Sequence, residues 1–247
     1  MTATTPSITP QSTLAQLATT RAGASRVFHR HGLDFCCHGQ IALERACRER
    51  ELDLDALLAE LHAEEERTHD FRPWDALPLG ELIDHILAHF HEAHREEFAR
   101  LIAAAHKVER VHGDKPSCPR GLAAHLAHVS EELEEHMQKE EQVLFPMIKR
   151  LEDARRNSAA AGSGFCGMEF PVRQMMLEHD DAGELLQGIR KETSEFQAPA
   201  DACPSFRALY QGLKDFELDL HQHIHLENNI LFPRALEATK PVQNVAS

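Results

Sequence analysis

The sequence predicts an all-α protein: a small N-terminal helical domain followed by an up-down-up-down four-helix bundle. Three observations predict it. From position 79 onward apolar residues recur at helical spacing through four stretches of about 25–35 residues each. The segments between those stretches are short and built of polar or small residues, which makes consecutive helices antiparallel neighbours. Almost nowhere does the chain alternate with the period of two that a half-buried strand requires.

Taken in order, positions 14 to 69 read as short helices: TLAQLATT, ASRVFHRHG, QIALERACRER and LDLDALLAELHAEEERTH, interrupted by Gly32, Gly39 and the pair Cys36-Cys37. The stretch FRPWDALP carries two prolines and reads as a connector. The expected domains are therefore 1–70, a linker at 71–78, and a bundle over 79–247. The first bundle helix is expected over about 79–111, with Ile83, Leu87, Phe90, Phe98 and Leu101 as its apolar stripe, and HGDKPSCPRG ends it. The second is expected over about 122–153, followed by the loop NSAAAGSGFCG; the third over about 171–196, followed by QAPADACP; and the fourth over about 205–238.

Composition narrows the function. The chain has 247 residues, 42% of them hydrophobic, and a formal net charge of −14. That charge disfavours nucleic acid, whose binding draws on clustered Lys and Arg. The start MTATTPSITPQSTL has no basic region and no apolar run, and no 18 apolar residues stand together, so the expectation is a cytoplasmic protein without a membrane partner. Six cysteines, at 36, 37, 47, 118, 166 and 203, form no C-x-x-C pair, and a disulfide framework is not expected in a chain of this size. Histidine, with 18 copies, is the unusual count, and it prompts a search for metal-ligand spacing.

An internal repeat answers that search. HMQKEEQVLFPMI in the second bundle helix and HIHLENNILFPRAL in the fourth share His-x-x-x-Glu, an apolar residue and Leu-Phe-Pro. Alignment on the proline matches His136 with His223 and Glu140 with Glu227, and leaves His221 and His225 out. Residues four apart lie on one helix face, so each His-Glu pair can meet one ion. His91 on the first helix stands 45 residues before His136, and His179 on the third stands 44 before His223. A lone core histidine or an ordinary surface His-Glu pair would explain any one of these features, but not their repetition in both halves. The expected metal ligands are thus His91, His136, Glu140, His179, His223 and Glu227.

Nitrogen and carboxylate donors without thiolate suit iron or manganese, with the imidazole content favouring iron. Two carboxylates can bridge two ions that the histidines cap, with an oxo, hydroxo or water ligand completing the set. Glu132, one turn before His136, and His94, near His91, are candidates to orient the ligand imidazoles. His112, 21 residues after His91 on an unbroken helix, lies about 30 Å away and is expected to cap that helix rather than bind metal.

The strings LDFCCHGQIALERAC, LIDHILAHFHEAHREE, KVERVHGDKPSCPRGL, EELEEHMQKEEQVLFPMIK, MLEHDDAGELL and HIHLENNILFPRAL resemble the repair-of-iron-centres family of hemerythrin-like di-iron proteins, across nearly the whole chain. The resemblance implies a short domain bearing a paired-cysteine motif, a di-iron bundle, and restoration of iron–sulfur clusters damaged by nitric oxide or oxidants, with nitric oxide reduction as an associated activity. It also implies damaged iron–sulfur proteins as partners, nitric oxide or dioxygen as a small ligand, and a functional role for Cys36 and Cys37. Free vicinal thiols make a compact soft donor pair for iron, nitrosyl groups or redox exchange.

Two departures from the family pattern stand out. Oxygen-carrying hemerythrins place a further His one turn after the third-helix ligand, where this chain has Gly183, and the cysteine pair is followed by His38 rather than glycine. One histidine fewer leaves a more open metal, which favours chemistry or iron release over reversible gas carriage. Non-catalytic binding or sensing of nitric oxide or oxygen is the alternative, against which the attached cysteine-bearing domain argues. Association into a homodimer is left open by the sequence.

Overall fold

Helix capping sets the first elements of the computed structural model, which describes residues 8–68, 71–157 and 167–240. Thr13 accepts the Gln16 N–H at 3.1 Å to start α1 (Leu14–Thr20), and Asp53 accepts that of Ala56 at 3.0 Å to start α4 (Leu54–Arg67). Between them lie α2 (Ala24–Arg30) and α3 (Leu43–Glu49). The bundle follows as α5 (79–112), α6 (122–156), α7 (Glu169–Glu192) and α8 (204–239). The first turn of α5 is capped from a neighbour: Glu152 of α6 accepts the backbone N–H of Leu79 at 2.8 Å and of Gly80 at 2.9 Å.

Three bundle helices widen locally into π turns, at Leu87–His91, Glu140–Leu144 and Glu227–Leu231. The latter two precede Phe145-Pro146 and Phe232-Pro233. Proline has no N–H and its ring clashes with the carbonyl four residues back, here Gln142 and Asn229, inside the widened turns. The Leu-Phe-Pro motif thus lets the helix accommodate a proline and continue, and each of these turns begins at a candidate ligand glutamate.

The α7 helix ends four residues before the expected position. Thr193 bonds back to the Ile189 carbonyl, and Ser194, Glu195 and Phe196 all have positive φ, between 49° and 59°. Arg190 holds the turn, bonding Glu195 at 2.7 Å and stacking over the Phe196 ring. No glycine or asparagine marks this stop, so only the tertiary partners reveal it. The loop expected at 157–167, with Cys166, lies largely outside the described residues.

The apolar core is divided in two. One cluster joins Leu14, Phe28, Phe35 and Leu57 of the N-terminal segment to Phe98, Leu126, Phe206 and Phe216 of the bundle. The other holds Leu79, Ile86, Phe145, Val172 and Phe232 at the opposite side. On each bundle helix the changeover from one cluster to the other falls at His91, at His136 and Glu140, at His179, or at His223 and Glu227. The ligand candidates form the polar layer between the two apolar bodies. The N-terminal helices share a core with the half of the bundle bearing Phe98 and Phe216, and His29 of α2 bonds the buried Glu217 of α8 at 2.8 Å. No helix among the described residues is long and apolar enough to cross a membrane.

Candidate metal centre

The four helices bring all six expected ligands together in that layer, each of them buried. Their donor atoms fall into two groups: His91 and His223 with Glu140 and Glu227, and His136 and His179 with the same two glutamates, every donor in a group lying within 4.8 Å of the others. His91 Nε2 lies 3.2 Å from His223 Nε2, and His136 Nε2 lies 3.0 Å from His179 Nε2. Glu140 Oε2 stands 3.5 Å from both His91 and His136, while Glu227 reaches His223 with Oε1 and His179 with Oε2, each at 3.2 Å. Both carboxylates therefore face both groups.

This donor set fits cations. Glu140 is fully buried, and neither of its oxygens has a hydrogen-bond partner within the protein, an arrangement that costs free energy unless positive charge compensates it. Burial, reinforced by the facing Glu227, pushes its carboxyl up to about 8. Burial works against Glu227 as well, but the imidazoles of His223 and His179 hold it well below the usual carboxylate range. His179 in turn is raised to about 9, its burial outweighed by Glu227. The surroundings thus oppose ionisation of Glu140 and favour that of Glu227.

Three of the four imidazoles are oriented through Nδ1. His91 donates to Glu141 at 2.8 Å, His136 to Glu178 at 2.9 Å and His179 to Asn228 at 2.8 Å. Such partners fix the tautomer and leave Nε2 free for a metal. The hydrogen bond to His136, with help from Lys139, pulls Glu178 down to about 2. His223 is the exception: its Nδ1 has no partner, and its ring lies flat against Phe90, 5.3 Å between centroids.

Several sequence expectations need correction. Glu132 is exposed and does not orient His136; Glu178 of the next helix does so instead. His94 is buried between Phe90, Phe216 and His223 with Nε2 unpartnered, so it orients no ligand by a hydrogen bond. His112 lies at the end of α5, away from the cluster as expected, but its ring faces Cys203 Sγ at 3.2 Å instead of capping helix carbonyls. The Gly113 carbonyl is bonded by Arg120 instead.

Of the three histidines clustered on α8, His223 enters the polar layer. His225 faces the N-terminal segment, near Thr19 and the Phe35 carbonyl, each at 3.3 Å. His221 packs edge-on against His29 and Phe35. The sequence reading missed Glu141, Glu178 and Asn228. The repeat contained a signal for two of them, since the residue after each ligand glutamate is polar and hydrogen-bond competent in both halves.

Cys36 and Cys37 lie outside the polar layer, in the loop between α2 and α3, against its outer side. Cys37 Sγ is 3.9 Å from the His179 carbonyl oxygen, and Asn228, which orients His179, also points Nδ2 at the Cys36 carbonyl at 3.5 Å. Both thiols are free. The neighbouring Cys37 thiol, together with burial, raises that of Cys36 well above its ordinary range.

A layer of four imidazoles and two carboxylates inside four antiparallel helices defines a cation-binding bundle. Residues 82–235 match the hemerythrin HHE cation binding domain, which implies non-haem iron, and residues 10–65 match a domain of unknown function (DUF542). Over 223 residues the chain is 47% identical to the iron–sulfur cluster repair protein YtfE of Yersinia pseudotuberculosis serotype O:1b, covering 90% of this chain and 96% of the relative. It is 46% identical to the protein of that name from Yersinia pestis strain Pestoides F over the same length. The chain belongs to this family of hemerythrin-domain iron–sulfur cluster repair proteins.

Proposed function

We propose that this protein repairs iron–sulfur clusters damaged by nitric oxide or oxidants, and that it works with two non-haem irons sharing Glu140 and Glu227. The observation that carries the reading is that both glutamates belong to both donor groups, so that one ion would be held by His91 and His223 and the other by His136 and His179. When bound, such a pair supplies redox-active Lewis acids able to take nitric oxide or dioxygen and to exchange iron.

The residues of the chain supply the rest. Glu141, Glu178 and Asn228 orient the imidazoles, while Phe145 and Phe232 pack against His91 and His179 and keep bulk water from that side. A cavity of about 260 Å³, lined by Glu132, His136, Lys139, Glu178 and His179, gives a small ligand a way in beside the second group. Cys36 and Cys37 line a separate cleft of about 650 Å³ between the N-terminal segment and the bundle, the side we assign to the damaged client. A reversible gas carrier would have no use for thiols there.

The test is reactivation of a nitric-oxide-damaged iron–sulfur enzyme by anaerobically purified, iron-loaded protein. Recovery well above that given by the metal-free chain is expected, and no excess would overturn repair. Catalytic conversion of nitric oxide to nitrous oxide in the same preparation would assign the repair to removal of the damaging agent rather than to donated iron.

A further inference from the structure

The loop carrying Cys36 and Cys37 is held more firmly than packing two small residues requires. Asp34 Oδ1 accepts the backbone N–H of Cys36 and of Cys37, each at 3.0 Å, and the Cys36 thiol at 3.3 Å, while Oδ2 faces His38 Nδ1 at 2.8 Å. From the bundle side, Asn229 donates to the carbonyls of Phe35 at 3.3 Å and Cys36 at 2.9 Å. A side chain at Gly39 would meet the Phe35 carbonyl oxygen at 2.3 Å, so the loop closes tightly enough to demand glycine. The result is two sulfurs fixed 3.8 Å apart.

That separation is informative. Metal–sulfur bonds of about 2.3 Å at a tetrahedral angle put two sulfurs about 3.8 Å apart, and with a metal–oxygen bond of about 2.0 Å they put sulfur and oxygen about 3.5 Å apart. Cys36 Sγ, Cys37 Sγ and an Asp34 oxygen all lie within 4.8 Å of one another, close to these edges. The spacing is too long for a disulfide, which needs about 2.05 Å. The group lines the 650 Å³ cleft, from which a fourth ligand can approach.

We propose that Asp34, Cys36 and Cys37 form a second metal site, separate from the carboxylate-bridged pair, which takes one thiophilic divalent ion such as Fe(II) through two thiolates and one carboxylate oxygen. Binding replaces two S–H bonds by two metal–sulfur bonds and releases two protons to the cleft, with no change in oxidation state. Three protein ligands leave the fourth position exchangeable, unlike a closed structural zinc site. On the repair reading, on which the identity of the cargo rests, this site holds iron in transit beside the client. Asn228 connects it to the bundle, contacting His179 with one end of its amide and the cysteine loop with the other.

The experiment titrates Co(II) into reduced, iron-loaded full-length protein under anaerobic conditions. One further equivalent is expected, with the intense near-ultraviolet band of thiolate-to-cobalt charge transfer and the visible bands of tetrahedral cobalt. Cys36→Ser and Cys37→Ser should each abolish the charge-transfer intensity of this equivalent, and Asp34→Asn should weaken its binding, all with the iron content of the bundle unchanged. His38→Ala, outside the ligand set, should keep the band and tests whether the loop tolerates substitution. Absence of the band, or its survival in both serine variants through other thiols, would overturn the site. If the band forms but the protein rescues no damaged enzyme, the repair reading fails and the metal site stands.

Discussion

The two halves of the bundle present the same ligands with different surroundings. In each, the first helix supplies a histidine whose Nδ1 bonds the residue just after the buried glutamate of the second: His91 with Glu141, and His179 with Asn228. The halves part at the remaining imidazole. The residue before His179 is Glu178, which reaches across to His136; its counterpart before His91 is Phe90, which stacks on His223 and gives it no hydrogen bond. The outer environment differs too. Glu141 continues into a partly exposed network through Arg95 to Glu134, whereas Asn228 is buried beneath the cysteine loop. The duplicated frame thus repeats its candidate ligands in both halves, while Asn228 of the second half alone also contacts the cysteine loop.

The largest expected effect comes from the shared element. Glu140→Gln and Glu227→Gln should each remove both irons, because each carboxylate serves both donor groups; loss of one ion only would mean that the carboxylates do not bridge. The metal-free Glu140→Gln chain should nevertheless gain stability relative to the metal-free parent as pH rises from about 4.5 to 8. Glu140 sits near 8 in the folded chain against an ordinary 4.5. Its contribution is therefore fully present below about pH 4.5 and lost as pH rises through 8, whereas glutamine does not titrate. Thermal unfolding of the two apo proteins between those pH values checks the sign.

A smaller effect should separate the halves. Glu178→Leu should weaken iron retention by about 10–100-fold, as loss of a ligand's hydrogen-bond partner typically does, and Glu132→Gln should leave retention unchanged. Dialysis against a chelator distinguishes them, and equal behaviour would return Glu132 to the role the sequence suggested.

Asn228→Leu should weaken retention comparably and also raise the alkylation rate of Cys37, since one amide serves both His179 and the loop. Glu141→Leu should affect iron alone. If both variants leave thiol reactivity untouched, the link between the second half and the N-terminal segment is not functional.

The smallest effect concerns docking. Burial opposes the charge of Glu217, yet His29 and Arg190 hold it below the ordinary carboxylate range. The stability it gives is present above about pH 4.5 and lost as pH falls through its lowered value. Proteolysis of the N-terminal segment should therefore accelerate in acid, and Glu217→Gln should flatten that dependence.

The repeat of His-x-x-x-Glu with Leu-Phe-Pro made the convergence of the six candidate side chains legible in the sequence, because a helix converts spacing into a shared face. The four long helices were legible for the same reason. What escaped depends on contacts between helices: Glu178 opposite His136, the stop of α7 under Arg190, and the contact of Cys203 with His112. Sequence distance holds no trace of these. The cysteine pair was visible as a motif, but its placement behind His179 follows from how α8 packs on the α2–α3 loop.

Iron quantification on anaerobically purified chain, paired with its visible spectrum, tests the central claim most directly. About two irons per chain are expected, with the absorption of a bridged non-haem pair, falling to none in Glu140→Gln and in Glu227→Gln, and remaining at two in His112→Ala. One iron per chain, or a single tightly held zinc, would contradict it.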